Sequence, residues 1–177
     1  MTITAPPPLA SARLALRPPT PADAERLADL AGDRDVARMT SSIPHPYGLS
    51  DARAFIDNVR VSDPDVDPTF AVDLPGEGLI GVLGFRMAGA TLGPEVGYWL
   101  GKPYWGRGYA TEALRRAMGW AREDWRVRCV VAGHFADNPA SGAVLIKSGF
   151  LYTGETPLTF SLARDADVPC RRMVWLA

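Results

Sequence analysis

The stretch of this chain whose residue types and spacing point to chemistry runs Glu95-Val96-Gly97-Tyr98-Trp99-Leu100-Gly101-Lys102-Pro103-Tyr104-Trp105-Gly106-Arg107-Gly108-Tyr109-Ala110-Thr111-Glu112-Ala113. A strand-like segment leads into a turn with glycines at 106 and 108, and that turn opens directly into a helical pattern. The first amides of a helix have no partner inside it, and the helix dipole makes that end positive, so phosphate oxygens bind there. Glycine lets a ligand approach the backbone closely. The expected chemistry is a phosphate cradle; the plain alternative is a turn shaped by packing alone. Two common nucleotide motifs do not fit. A P-loop requires Gly-Lys-Ser/Thr, which is missing. A dinucleotide-binding fingerprint needs a small residue where Thr111 stands and an acidic residue ending the next strand, where Val130 to Gly133 offers none.

The elements that must hold this turn follow from hydrophobic periodicity and from the placement of Pro and Gly. Residues 13–17 read as a short strand halted by Pro18 and Pro19. Thr20 looks like an N-cap with Pro21 in the first turn of a helix through about residue 30, and a second helical piece covers 33–39. The prolines at 44 and 46 make 43–48 a loop. Ser50 is expected to cap a helix carrying Phe55, Ile56 and Val59, and Asp63, Asp65 and Asp67 mark a solvated loop over 62–68. Strands are expected at 69–73 and 79–87, joined as a hairpin through Pro75-Gly76-Glu77-Gly78, and at 95–100. A helix over 108–122 places Ala110, Ala113, Leu114, Ala117, Met118 and Ala121 on one face, with Glu112 and Arg116 as an exposed pair. A strand at 128–133, a helix at 139–147 and strands at 150–155 and 171–176 complete the order, which is mixed α/β. Residues 1–11, with Pro6, Pro7 and Pro8, read as a flexible arm, and 12–177 as one domain without repeat or linker.

A length of 177 residues suits one domain. Such a chain buries on the order of 70% of its unfolded surface and needs no disulfide or metal to hold it. Cys129 and Cys170 belong to no Cys-x-x-Cys or Cys/His cluster; they read as thiols of a reducing cytoplasm, and no metal is expected. A net charge of −1 supplies no field to gather nucleic acid or anionic membrane. No stretch approaches the ~18 apolar residues of a membrane helix, and the first ten residues lack the basic and apolar regions of a secretion signal, so the expected location is cytoplasmic.

The run through Gly106 and Gly108 resembles the acetyl-CoA pyrophosphate loop of the GCN5-related N-acetyltransferases (GNAT), in the branch of the ribosomal-protein N-terminal acetyltransferases RimJ and RimL. The general pattern is Gln/Arg-x-x-Gly-x-Gly/Ala. Gly108 and Ala110 match it, and Trp105 stands where Gln or Arg is usual, a departure typical of the branch, whose loop commonly reads Trp-Gly-Lys/Arg-Gly-Tyr-Ala-Thr-Glu-Ala. A second signature, Asn138-Pro139-Ala140-Ser141 followed by Lys147-Ser148-Gly149-Phe150, resembles Asn-x-x-Ser and Lys-x-Gly-Phe, and Arg13-Leu14-Ala15-Leu16-Arg17 looks like the branch's opening strand. The resemblance covers residues 12–176. It implies a single-domain α+β fold with a mixed, mostly antiparallel sheet of six or seven strands, about four flanking helices, and a splay where acetyl-CoA enters.

It also implies roles. Backbone amides from Trp105, Gly106, Arg107, Gly108, Tyr109, Ala110 and Thr111 would hold the pyrophosphate, with Arg107 adding charge from the rim. Tyr98, Trp99 and Leu100 would run beside the cofactor arm, and a bulge, which Gly97 and Gly101 would permit, would aim an amide at the thioester carbonyl. Acetyl transfer to an amine needs a neutral amine, stabilisation of an oxyanion and a proton for the leaving thiolate. Glu95 is the candidate base or acceptor-orienting group; the competing reading is a strand-end carboxylate paired with an arginine. The tyrosine that many relatives use as proton donor falls on Leu145, which cannot donate. Ser141 takes that place in the branch, bonding the CoA sulfur, and the competing reading makes Asn138 and Ser141 a helix-capping pair. His134 is expected to be a loop-exposed histidine. Residues 43–47 and 160–164 are the expected acceptor-site lids. The acceptor is a protein N-terminal α-amine or a small-molecule amine such as an aminoglycoside, polyamine or amino acid. A catalytically silent CoA-binding module is the remaining alternative, and a monomer or homodimer is expected.

Overall fold

The computed structural model describes residues 6–87 and 92–177; residues 1–5 of the expected arm lie outside that range. The strands are β1 (Leu9–Ala10), β2 (Ala15–Arg17), β3 (Thr69–Leu74), β4 (Gly78–Arg86), β5 (Glu95–Leu100), β6 (Cys129–Phe135), β7 (Leu151–Tyr152), β8 (Leu158–Ser161) and β9 (Ala166–Leu176). The helices are α1 (Ala24–Ala31), α2 (Arg34–Ala37), α3 (Leu49–Val61), α4 (Tyr109–Glu123) and α5 (Pro139–Lys147). The sheet order is β1-β2-β3-β4-β5-β6-β9-β7, with β8 paired to β9, and β5–β6 is the parallel pair among the antiparallel ones. This is the mixed, mostly antiparallel α+β domain expected.

The described residues hold nine strands rather than six or seven, and five α-helices. The additional strands had little pattern to announce them. β1 and β7 are two residues long, and in β8 Leu158 and Phe160 face outward, so no apolar-in alternation marks it. Leu9–Ala10, expected in the loose arm, pairs instead with Ala15 and Leu16. The cap of α3 is Gly48 rather than Ser50; its amide donates to Asp51 Oδ2 at 2.8 Å. Thr20 does open a helical turn, donating through N–H and hydroxyl to the buried Asp23, which Arg17 also grips.

One face of the sheet is covered by α4 and α5. Leu114, Ala117, Met118 and Ala121 of α4 pack with Phe70, Leu83, Val96 and Val130, all nearly inaccessible to water. Trp120 closes one end, edge-on to Phe70 and stacked on Trp125. α1 and α3 cover part of the other face through Leu27, Ala52 and Ile56 against Ala71, Leu79 and Val82. Each full leucine or phenylalanine buried this way contributes roughly 1.5–3 kcal/mol, so both layers are held mainly by apolar burial.

The feature that positions the site is a split in this sheet. β5 and β6 pair at a single position, Glu95 opposite Val131, where the Val131 amide donates to Pro94 O at 2.9 Å. β5 stays fully paired with β4 on its other side, and β6 with β9. The carboxyl ends of two parallel neighbours therefore open into a crevice, the usual ligand position in sheets with parallel strands. The expected bulge does not occur in the β4–β5 ladder, whose register runs unbroken from Glu95 to Leu100. Gly101 serves packing instead: a Cβ there would lie 2.6 Å from the Leu30 side chain, so glycine lets α1 approach the strand end.

Candidate active site

One wall of the crevice is built from the turn between β5 and α4. Gly106 (φ +73°) and Gly108 (φ +79°) both sit in the left-handed region that favours glycine, and Gly108 is the N-cap of α4. The Trp105 amide donates to Lys102 O, and the Glu112 amide is the next to find a backbone acceptor, Gly108 O. Between them the amides of residues 106–111 have no protein acceptor among the described residues. A Cβ on Gly106 would meet nothing within 4 Å, so the turn is open on that side. These are the properties a pyrophosphate needs: donors without partners, an exposed backbone and a helix N-terminus. The residues present fit the pyrophosphate of acetyl-CoA.

The turn is fixed from two directions. Trp105, half exposed, donates its indole N–H to Leu100 O at 2.7 Å, tying the turn to the end of β5. Arg13 braces the other side. Its Nη1 donates to Arg107 O at 3.1 Å, its Nε and backbone amide both donate to Glu112 at 2.7 Å, and its guanidinium lies 4.5 Å from the centre of the Tyr109 ring. Ser11 adds a hydroxyl to the same carboxylate. Glu112 thus pairs with Arg13 rather than Arg116, which turns to Ala10 O. Burial alone would raise the Glu112 carboxyl, but the hydrogen bonds from Ser11 and Arg13 hold it below the ordinary glutamate range. Sequence reasoning missed Arg13 as a site residue. It sits in the opening strand motif, and nothing in that motif says it reaches the turn. The Arg107 side chain is exposed, Ala110 and Thr111 are partly buried in the first turn of α4, and Leu100 is buried.

Across the crevice from this turn, β6 ends in a short loop that starts α5. Asn138 caps α5, its Oδ1 accepting from the Ser141 amide at 3.2 Å. The Ser141 hydroxyl is left over from that cap and lies 2.9 Å from the Tyr98 hydroxyl, which also lies 3.1 Å from Ser141 O. The structure therefore realises the capping arrangement and also brings Tyr98 and Ser141 together across the split. A single phenol proton can go either to Ser141 O or to Ser141 Oγ; in the second case the serine proton is free for another acceptor. Burial pushes the Tyr98 phenol up to about 12, so it keeps its proton at neutral pH. His134, expected in an exposed loop, is buried in β6. It is bonded at Nε2 to the Tyr152 hydroxyl and at Nδ1 to Phe135 O, and a Cβ on Gly142 would lie 2.8 Å from its ring, so α5 rests directly on it.

The opposite side of β5 and β6 forms the second wall. Glu95 Oε1 accepts from Arg172 Nη1 at 2.6 Å, so the arginine partner of the competing reading is present; the carboxylate is nonetheless 46% exposed. Gly133 makes this pair possible, because a Cβ there would lie 3.2 Å from Arg172 Nη1 and 2.7 Å from Cys170 Sγ. Trp99 points away from Tyr98 and packs against the cluster of Ala31, Ala37 and Ile43, as does Ala163. The second expected lid is tied to the segment just before the first: Ser161 donates its hydroxyl to Thr40 O, and the Leu162 amide donates to Ser41 O. Part of the second lid is not a lid loop, since residues 160 and 161 belong to β8. Arg164, in the turn between β8 and β9, holds both oxygens of Asp137 and the carbonyl of Arg38, and its guanidinium lies 5.0 Å from the centre of the Phe135 ring.

No group of three or more His, Cys, Asp or Glu side chains suited to a metal occurs among the described residues, and none of their helices is long and apolar enough to cross a membrane. The fold compares closely with solved acetyltransferases. A GNAT-family acetyltransferase from Bacillus anthracis superposes with a TM-score of 0.82 at 20% identity, over 96% of this chain and 98% of that one. The microcin C7 self-immunity acetyltransferase, solved with acetyl-CoA and AMP, gives 0.83 at 19% identity over 94% of each chain. The ribosomal-protein-serine acetyltransferase of Escherichia coli (strain K12) is 32% identical over 77 residues, a match that spans 43% of this chain and 43% of that protein. Residues 13–151, most of the chain and all of the split, the turn and the α5 cap, match the model of the acetyltransferase (GNAT) domain, and the chain belongs to that family.

Proposed function

We propose that this protein transfers the acetyl group of acetyl-CoA to a primary amine, with the α-amine of a protein N-terminus as acceptor. The observation that supports the reading is the split after Glu95 and Val131, with a turn of unpartnered amides after β5, the Tyr98–Ser141 contact across it and the half-exposed Glu95 carboxylate where it begins. The choice of acceptor rests on the Trp105-to-Ala113 and Asn138-to-Ser141 motifs and on the partial match to a ribosomal-protein-serine acetyltransferase.

Acetyl-CoA, when bound, supplies a thioester carbonyl activated toward amines. The amides of residues 106–111 hold its pyrophosphate, and the gap-side edge of β5, beside Tyr98, Trp99 and Leu100, receives its arm as an added strand. An amine is mostly protonated at neutral pH, so a proton must leave before attack. Glu95, fixed by Arg172, accepts that proton directly or through water. Ser141 donates its hydroxyl proton to the departing sulfur and regains one, through water, from the ammonium that attack leaves on the former amine, while Tyr98, which stays protonated, donates a hydrogen bond to Ser141 Oγ. No cysteine or serine nucleophile motif is present, so transfer is direct within a ternary complex.

The test is thiol release from acetyl-CoA against a panel of N-terminal peptides and small amines. Peptides should turn over best, Ser141→Ala should lower kcat by about ten- to a hundredfold, and Glu95→Gln should lower the rate most at the acid end of about pH 6 to 9, where the amine is most protonated. Better turnover of a small-molecule amine reassigns the acceptor. CoA binding without thiol release from any amine makes the protein a silent CoA-binding module. A pH profile unaltered by Glu95→Gln returns that residue to a purely structural pairing with Arg172.

A further inference from the structure

Beside the second wall lies a cavity of about 410 Å³ lined by Arg34, Asp35, Arg38, Ala163 and Arg164. Two of its lining residues lead toward the open ends of β5 and β6. Ala163 also packs in the Trp99 cluster, and Arg164 rests on Phe135 at the end of β6. The charges in it are not equally committed. Asp35 is taken by Lys102, with Nζ donating to Oδ2 at 2.6 Å. Arg164 is saturated: it donates to Arg38 O and to both oxygens of Asp137, and only 17% of its side chain is exposed. Because that grip uses both Asp137 oxygens, Arg38 reaches the same carboxylate only at 3.7 Å, with 42% of its side chain exposed. Arg34 is exposed and has no ion-pair partner among the described residues.

Arg34 and Arg38 stand one helical turn apart, the Arg38 amide donating to Arg34 O at 3.0 Å, so their side chains share a face at the cavity mouth. Like charges in that relation repel, and neither is neutralised in close geometry. An anion seated between them relieves the repulsion and makes charge-assisted hydrogen bonds to planar donors suited to carboxylate or phosphate oxygens.

We propose that Arg34 and Arg38 form an anion subsite of the acceptor pocket, taking a carboxylate or phosphate carried by the acceptor near its reacting amine. This rests on the reading above that the acceptor is a protein N-terminus and narrows it to N-termini with acidic residues close behind the α-amine. Polycationic amines are excluded by the same charges. Arg164 and Asp137 shape the subsite and do not contact the anion.

The experiment uses full-length protein saturated with CoA, so that binding is read without turnover. Four pentapeptides are titrated calorimetrically, identical except for aspartate, asparagine, lysine or phosphoserine at the second and third positions. The aspartate peptide should bind about tenfold or more tighter than the asparagine peptide, the return of about one charge-assisted pair, and the lysine peptide weakest. In Arg34→Gln/Arg38→Gln the difference between aspartate and asparagine peptides should collapse to within about twofold, while Arg34→Lys/Arg38→Lys keeps part of it. Phosphoserine binding tighter than aspartate, with inorganic phosphate competing, identifies a phosphate subsite; the reverse order identifies a carboxylate subsite. Equal binding of acidic and neutral peptides by the wild type, or a preference that survives the double glutamine variant, overturns the proposal. Thiol release from the same peptides is measured separately: selective binding without release fails the transfer reading and leaves the subsite standing.

Discussion

The two walls of the crevice are made from different materials. The wall beside α4 and α5 is mostly backbone: amides in left-handed glycine geometry, an unpaired strand edge and a helix cap, all contributed by residues 95–111 and 138–141. The wall beside α2 and the β8–β9 turn is mostly side chains: Glu95 on Arg172, Arg164 on Asp137 and Phe135, and the Arg34 and Arg38 pair, drawn from four separate stretches of chain. A wall of backbone tolerates many residues but demands particular ones where the dihedrals are special. A wall of side chains has no special dihedrals, and each member depends on a partner far away in sequence. The first suits a cofactor shared by a whole family, the second an acceptor that differs between members.

The comparison breaks most sharply at Gly108. Valine there must adopt φ near +79° with a branched Cβ, which would lie 3.5 Å from Arg13 Nη2. Its strain is relieved only by moving the turn, so the amides lose their common aim. We expect Gly108→Val to weaken CoA binding by on the order of a hundredfold, read by calorimetry, with little change in circular dichroism. An unchanged affinity would mean that the cofactor is held by side chains after all.

The same contrast explains what could be read from the chain. Gly106, Gly108, Asn138 and Ser141 carry their meaning in fixed local spacing, so the turn, the cap and the helices behind them were visible as pattern. The sequence marks Glu112 as a helix residue and offers Arg116, near in sequence, as its partner, whereas Arg13, across the sheet, supplies the two short bonds. His134 reads as a loop residue because the apolar alternation ends at Gly133, yet β6 continues through Phe135 and buries it. The tie of Ser161 and Leu162 to Thr40 and Ser41 joins segments about 120 positions apart and has no local signature. Local rules find elements and backbone sites; pairings across the fold need the fold.

A test of the side-chain wall is Arg164→Ala. It removes the bidentate grip on Asp137, the bond to Arg38 O and the contact with Phe135. The cost should be about 2 kcal/mol of stability in denaturant unfolding. For activity we expect KM for the amine acceptor to rise about tenfold while KM for acetyl-CoA stays within about twofold. Equal rises in both would show that the walls are not separable.

Arg13→Ala asks whether the backbone wall needs its one side-chain brace. The turn would keep its glycines and the tie from Trp105 but lose the hold on Arg107 O, and Glu112 would lose its short contacts. The expected result is a rise in KM for acetyl-CoA of a few- to about tenfold with kcat preserved, since the proposed chemistry uses Ser141 and Glu95 and not Arg13. A fall in kcat at unchanged KM would place Arg13 in the chemistry instead.

Acid provides the finest comparison, because each wall contains one carboxylate that arginine holds below its ordinary range. For Glu112 burial opposes the shift and the bonds from Ser11 and Arg13 overcome it; for Asp137 the hydrogen bond from Arg164 leads. A depressed carboxyl stabilises the fold fully above its unfolded value, about 4.3 for Glu and 3.9 for Asp, and that stability is lost as pH falls through the lower folded value. Both braces therefore hold at neutral pH and fail on the acid side of about pH 4. Each brace has one sheltered and one exposed partner: Glu112 is 17% exposed against 48% for Arg13, and Arg164 17% against 47% for Asp137. Salt screens an exposed pair more than a sheltered one. Raising ionic strength should thus shrink to a similar degree the acid loss of stability that Arg164→Ala removes and the loss that Arg13→Ala removes. If salt erases the loss at one brace and spares it at the other, shelter of the carboxylate rather than of the whole pair governs the screening, and the two walls differ in more than what they are made of.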